Sequence, residues 1–261
     1  MAPVYADHPF ELLHTEIYKL PKGAKPDLMQ SIASEMVLVH NIIIRGLNAI
    51  ILQAPHIKPE DEIPFCHFIT YWCHFLDIHH RGEEKHFFPG IERLTGKKGI
   101  MDVNIEQHDM FHSQMDDFSD YIKACIAGTN KFSRDEVVTR LDSFAKTLVT
   151  HLNDEIPTLL GLREYGDEKM QPILAVIEEE VKEGMGTMTL TGGFPWFMTC
   201  GDVNFEDGLW KNFPPGIAPK VAFFICRHFT FWIHADWWKF GPCDKFGNLQ
   251  PLYAVPEEHV E

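Results

Sequence analysis

The run His79-His80-Arg81-Gly82-Glu83-Glu84, followed closely by Phe87-Phe88-Pro89, holds two histidine–carboxylate pairs at four-residue spacing: His79 with Glu83, and His80 with Glu84. On a helix, residues i and i+4 share a face, so either pair could bring an imidazole nitrogen and a carboxylate oxygen to one metal ion. One such pair says little in a chain with 15 histidines and 38 acidic residues, because an exposed pair is simply solvated. The pattern recurs. His151 and Glu155 repeat it, His108 and His112 give two histidines at the same spacing, and His40 interrupts an otherwise apolar stripe.

Four helices are needed to position these residues. Met36, His40, Ile43, Ile44, Leu47 and Ile51 recur at three- and four-residue steps until Pro55 and predict a first helix with His40 on its apolar face. A second helix opens on the acidic turn Pro59 to Glu62. It carries Phe65, Phe68, Ile69, Trp72, Leu76, His79 and Glu83 on one stripe and ends at Pro89 and Gly96 to Gly99. This stripe favours His79/Glu83 over His80/Glu84 and leaves His67 and His74 off the inner face. A third helix from Asp102 to Gly128 points Ile105, His108, Phe111, His112, Met115, Phe118 and Ile122 inward. Ser133 with Glu136 forms a capping-box pattern for a fourth, with Val137, Leu141, Phe144, Leu148, His151, Leu152 and Glu155 on its stripe. The expected fold is all-α, an antiparallel up-and-down four-helix bundle over residues 28–165. Residues 1–27 read as an N-terminal arm, and 166–261 as a C-terminal helix and aromatic-rich cap.

Alternating helix direction puts His40, His79 to Glu83, His108 to His112 and His151 to Glu155 at comparable heights. Five imidazoles and two carboxylates in one bundle interior are costly to bury without a counter-charge. The competing reading is a core with several hydrogen-bonded histidines and no metal. Seven ligands exceed one tetrahedral zinc, and mixed nitrogen and oxygen donors suit iron or manganese, so two bridged ions fit the count.

The HHRGEE run with Phe87-Phe88-Pro89, the Glu106-Gln107-His108 start of the third helix and the HLNDE run at 151–155 together resemble the hemerythrin-like, or HHE cation-binding, family over about residues 28–165. The resemblance implies a non-haem di-iron centre with a bridging oxo or hydroxo group. It implies His108, His112 and His151 on one iron and His40 and His79 on the other. Glu83 and Glu155 would bridge them, with an open position for dioxygen or a related small ligand on the second iron. The fourth helix departs from the dioxygen carriers, offering a glutamate four residues after its histidine where they have an aspartate five after. This weakens the inference of reversible carriage.

Composition narrows the function further. A net charge of −15, from 23 basic and 38 acidic residues, repels phosphate backbones and anionic lipid surfaces. Neither nucleic acid nor a membrane is an expected partner. The six cysteines form no CxxC pair and read as reduced thiols. Asp7 and Pro9 stand where a secretory leader would need a basic start and an apolar run, so a cytoplasmic location is expected. Past Tyr165-Gly166, residues 167 to 183 read as one more helix whose Glu178-Glu179-Glu180 run is a solvated face. The aromatic residues crowding the stretch from Phe194 to Phe240 are expected to be buried as a cap, Val221 to Trp238 as one helix. His228, His234, Asp236 and Cys226 in that cap match no ligand spacing. An aromatic cap could line a pocket for a small apolar organic substrate, or serve only as core. The reading is dioxygen activation for oxidation of such a molecule. A reversible carrier or sensor, and an iron store or regulator, are the alternatives.

Overall fold

A computed structural model describes residues 2–209, 211 and 217–256, and no strand occurs among them. After the short turn α1 (Glu16–Lys19), four long helical stretches pack in a closed ring. α2 (Leu28–Gln53) lies against α3 (Glu62–Gly82) and α7 (Ala145–Gly161), and α5 (Asp102–Ile126) closes the ring between α3 and α7.

Asp27 starts α2 with a reciprocal cap: its side chain accepts from the Gln30 amide while the Gln30 side chain accepts from the Asp27 amide. The segment Leu28–His56 is long and apolar enough by composition to cross a membrane, yet 72% of its apolar window is buried inside the protein. Its polar residues explain why it stays there. Asn41 exchanges hydrogen bonds with the backbone of Leu13, and Asn48 with that of Ala6 and Phe10. Arg45 donates to Asp7 and lies 3.3 Å from Asp202. The N-terminal arm is thus held along α2 by side-chain amides that satisfy its backbone.

The stretch after α3 departs from the sequence expectation. A π-helical turn, Glu83–Phe87, follows, in which the Phe88 amide donates to the Glu83 carbonyl. The chain then continues as α4 (Phe88–Thr95). Pro89 does not stop it, because it occupies the second helical position, where no intrahelical N–H is required. The fourth predicted helix is broken. α6 (Arg134–Asp142) begins at the cap Ser133 and ends at Ser143, and Phe144 there packs between Trp72 and Phe118 before α7 begins.

The C-terminal region is α8 (Asp167–Met170), α9 (Ile173–Thr187), α10 (Gly193–Cys200), α11 (Phe205–Gly208), α12 (Ile217–Ile225) and α13 (Ala235–Trp238). Trp196, Trp238 and Phe240 are fully buried in one core with Phe65, Phe68 and Trp72. Burying each contributes on the order of 2 kcal/mol, so the three together matter against a typical net stability of about 5–15 kcal/mol. The extension therefore shares its core with the helical ring. The expectation that all its aromatics are buried fails, since Phe224, Phe229 and Trp232 are 57%, 65% and 60% exposed. Val221 to Trp238 is also not one helix: π-helical and 3-10 turns separate α12 from α13.

Candidate metal centre

Two groups of donors meet in the interior of the helical ring. Ligand atoms of His80, Glu83, His108 and His151 lie within 4.8 Å of one another, and those of His40, His79, Glu83 and Glu155 do likewise. Glu83 belongs to both. All seven residues are buried. His40 comes from α2, His79 and His80 from α3, Glu83 from the π-helical turn, His108 from α5, and His151 and Glu155 from α7.

The outer nitrogens fix the tautomers. His40 Nδ1 lies 2.8 Å from the Leu152 carbonyl, His108 Nδ1 2.7 Å from Glu84 Oε1, and His151 Nδ1 3.2 Å from Gln107 Oε1. The Gln107 amide nitrogen donates to Asp154, which orients its oxygen toward His151. Each of these three partners is an acceptor, so each Nδ1 carries the proton and each Nε2 presents a bare lone pair to the interior. His108 Nε2 and His151 Nε2 consequently face each other at 3.0 Å with no proton between them in the neutral rings. That arrangement is repulsive until a cation lies between the lone pairs.

The remaining inner atoms tell the same story. His40 Nε2, His79 Nε2, both nitrogens of His80 and all four carboxylate oxygens of Glu83 and Glu155 are buried without a hydrogen-bond partner. His40 Nε2 stands 3.2 Å from Glu155, and His79 Nε2 and His108 Nε2 stand 3.3 and 3.5 Å from the two oxygens of Glu83. A buried polar group with no partner costs roughly 1–3 kcal/mol, and more when charged, so eight such atoms in one place need a ligand. Burial, reinforced by neighbouring imidazoles, holds His79 and His80 well below the ordinary histidine range and lowers His151 to about 2. Burial lowers His108 as well. These histidines are neutral donors. Burial and the nearby Glu155 and Glu180 carboxylates raise Glu83 well above the usual range, which is the expected cost of two acids sharing a site without a cation. Imidazole and carboxylate donors in this proportion fit iron or manganese.

The expected ligands fall out as follows. His40, His79, Glu83, His108, His151 and Glu155 are brought together. His112 is not: its side chain is 42% exposed and pairs with Asp116 at 3.2 Å. The buried seam of α5 runs Asn104, His108, Phe111, Met115, Phe118, Ile122 and Cys125, and His112 lies on its flank. His80 lies with His108 and His151 in the first group instead. Both His79 and His80 turn inward, His79 toward His40 and His80 toward His108. A signal for His80 exists in the sequence: Cys66, Cys73 and His80 form a second buried line at seven-residue spacing beside the main stripe. Glu84 does not face the centre directly but anchors His108 from outside. We expect His112→Ala to keep its full metal content and His80→Ala to lose a large part of it, measured by elemental analysis of protein matured with iron.

Beside the centre, α9 packs closely on α3. A Cβ on Gly82 would meet the Glu180 side chain at 2.8 Å, and one on Gly184 would meet Ile78 at 2.8 Å, so both glycines permit the approach. Glu183 on α9 pairs with Lys85 and His86 of the π-helical turn. Glu180 does not belong to a solvated face. It lines a cavity of about 130 Å³ together with His79, Phe75, Phe194, Phe197 and Phe223, and burial next to Glu155 pushes its carboxyl up to about 8.

Residues 31–162 match the family model described as the hemerythrin HHE cation-binding domain. The chain belongs to the hemerythrin HHE cation-binding domain family. Among curated proteins, this hemerythrin-like chain is 35% identical over 230 residues to "Dimeric xanthone biosynthesis cluster protein R11" of Cryptosporiopsis sp. (strain 8999), covering 87% of this chain and 84% of that protein. An alignment of that length reaches beyond residues 31–162 into the extension. No solved structure matches the chain.

Proposed function

We propose that this hemerythrin-like protein is a non-haem di-iron protein that activates dioxygen to oxidise a small apolar organic molecule. The observation that carries this reading is the double membership of His79, which is both a donor of the centre and part of the wall of an apolar cavity. In this reading His80, His108 and His151 hold one iron and His40 and His79 the other. Glu83 is shared, and Glu155 serves the second group. When bound, the iron pair supplies the electrons that reduce dioxygen. The chain does the rest. Leu152, Glu84 and Gln107 fix the orientation of three imidazoles. The aromatic and methionine wall excludes water and seats an apolar molecule beside His79.

The family relation and the donor chemistry support iron, and the relative's name, which places that protein in a biosynthetic cluster, favours chemistry on an organic molecule over dioxygen carriage. The up-and-down antiparallel order of the four helices, the bundle limits at 28–165 and a cytoplasmic location belong to the same proposal. The last is supported by six cysteines that are all buried and unpaired. The test is to expose anaerobically reduced, iron-loaded protein to dioxygen with a panel of small aromatic compounds, following dioxygen consumption and product mass. Irreversible consumption with a compound gaining oxygen or losing hydrogen is the expected result. Reversible uptake with every compound recovered unchanged would assign carriage or sensing instead, and one zinc per chain under iron-replete growth would remove the di-iron centre.

A further inference from the structure

The cavity beside His79 has one feature that an apolar pocket does not need. Its walls are Val39, Ile78, Val181, Met185 and Met188 with phenylalanines, and apart from His79 the only ionisable lining residue among the described residues is Glu180. The Glu180 carboxyl is placed there by close packing: it sits over Gly82, between the donor residues His79 and Glu83, where any larger residue at 82 would displace it. It forms no ion pair among the described residues, unlike Glu183 one turn further on, which pairs with Lys85 and His86. The volume, about 130 Å³, suits one six-membered ring, since an apolar cavity of roughly 150 Å³ is known to take benzene.

We propose that Glu180 is the specificity-determining residue of this pocket, receiving a hydrogen bond from a ring hydroxyl, so that the ligand class is a phenol-type aromatic. This deepens the oxidative reading and rests on it for the purpose of the site. The hydroxyl is held at the end of the cavity that the donor residue His79 shares, while the carbon face of the ring lies against Phe75, Phe194 and Phe197. A plain aromatic of the same size would cover the half-buried carboxyl without giving it a partner, whereas a ring hydroxyl supplies one.

The experiment is calorimetric titration of the iron-loaded protein, kept anaerobic so that nothing turns over, with phenol and with toluene. Wild type should prefer phenol roughly tenfold, the size of one well-made hydrogen bond. In Glu180→Leu the order should reverse, because an apolar pocket binds the more apolar ring better, and Glu180→Gln should restore a phenol preference. Iron content should be unchanged in both variants. Met188→Trp, which fills the cavity, should abolish binding of both compounds, with helical signal and cooperative melting checked for each variant. A wild type that prefers toluene overturns the proposal. So does a phenol preference that persists in Glu180→Leu, which would place the hydroxyl on the metal. Loss of iron in Glu180→Leu would make Glu180 a metal-holding residue and overturn it as well, as would phenol binding that survives Met188→Trp. The outcome is separable from the oxidative reading: a protein that binds phenol in this way yet oxidises nothing keeps the pocket and loses the oxidase.

Discussion

Glu83→Ala should abolish stable metal binding, with an affinity loss well beyond the 10–100-fold typical of residues that only orient a ligand. The expectation follows from position. Glu83 is the one residue common to both donor groups, its two oxygens reach toward His79 on one side and His108 on the other, and it is fully buried. Removing it takes a donor from each metal position at once and leaves the imidazoles facing each other with less counter-charge. Glu84→Ala supplies the contrast, because Glu84 only accepts from the outer nitrogen of His108; its loss should weaken binding about 10–100-fold without emptying the site. Elemental analysis after dialysis against a graded chelator series distinguishes the two. Full metal content in Glu83→Ala would remove the shared carboxylate from the centre.

The second large effect is the response of the metal-free protein to pH. His79, His80, His108 and His151 have folded-state values below their unfolded ones, so at acid pH the unfolded chain binds more protons and stability rises with pH until the histidines of the unfolded chain are neutral, near 6.5. Glu83 and Glu180 are shifted the other way. Their contribution is fully present below about 4.5 and is lost as pH rises, because the folded protein then holds protons that the unfolded chain has released. Each unbalanced proton tilts stability by about 1.4 kcal/mol per pH unit. Between 4.5 and 6.5 the four histidines outweigh the two acids at the centre, and above 6.5 only the acids remain; His67, lowered by burial, and Glu35, raised by burial, add one group to each side and leave that order unchanged. The metal-free protein should therefore be most stable near pH 6.5 and lose stability toward pH 8. Iron-loaded protein should not show that decline, since bound cations favour the ionised carboxylates. Denaturant midpoints at pH 5.5, 6.5 and 7.5, with and without chelator, check it. A metal-free curve that keeps rising above 6.5 would show that Glu83 is not held protonated.

The sequence by itself determined the helical class, the limits of α2 and α5 to within a turn, and most of the residues that the structure gathers into the two donor groups. These features are written in local periodicity: His40 on an apolar stripe of α2, His79 and Glu83 on that of α3, and His151 and Glu155 on that of α7 are placed inward by the 3.6-residue repeat alone. Periodicity gives the centre of a stripe but not its width, and width decided what was missed. A residue 100° from the stripe centre is buried only if a neighbouring helix covers that side. On α3 that side is covered, and His80 joins the site; on α5 it faces solvent, and His112 does not. The π-helical turn that presents Glu83 leaves no mark on the apolar periodicity, although both phenylalanines at its end, Phe87 and Phe88, are buried. Glu180 looked like one of three solvated acids, and only the close approach of α9 over Gly82 turns it into the polar group of an apolar cavity. Which faces are covered is set by contacts between segments far apart in the chain, His80 with His108 and His151 and Gly82 with Glu180, and only the tertiary structure decides those.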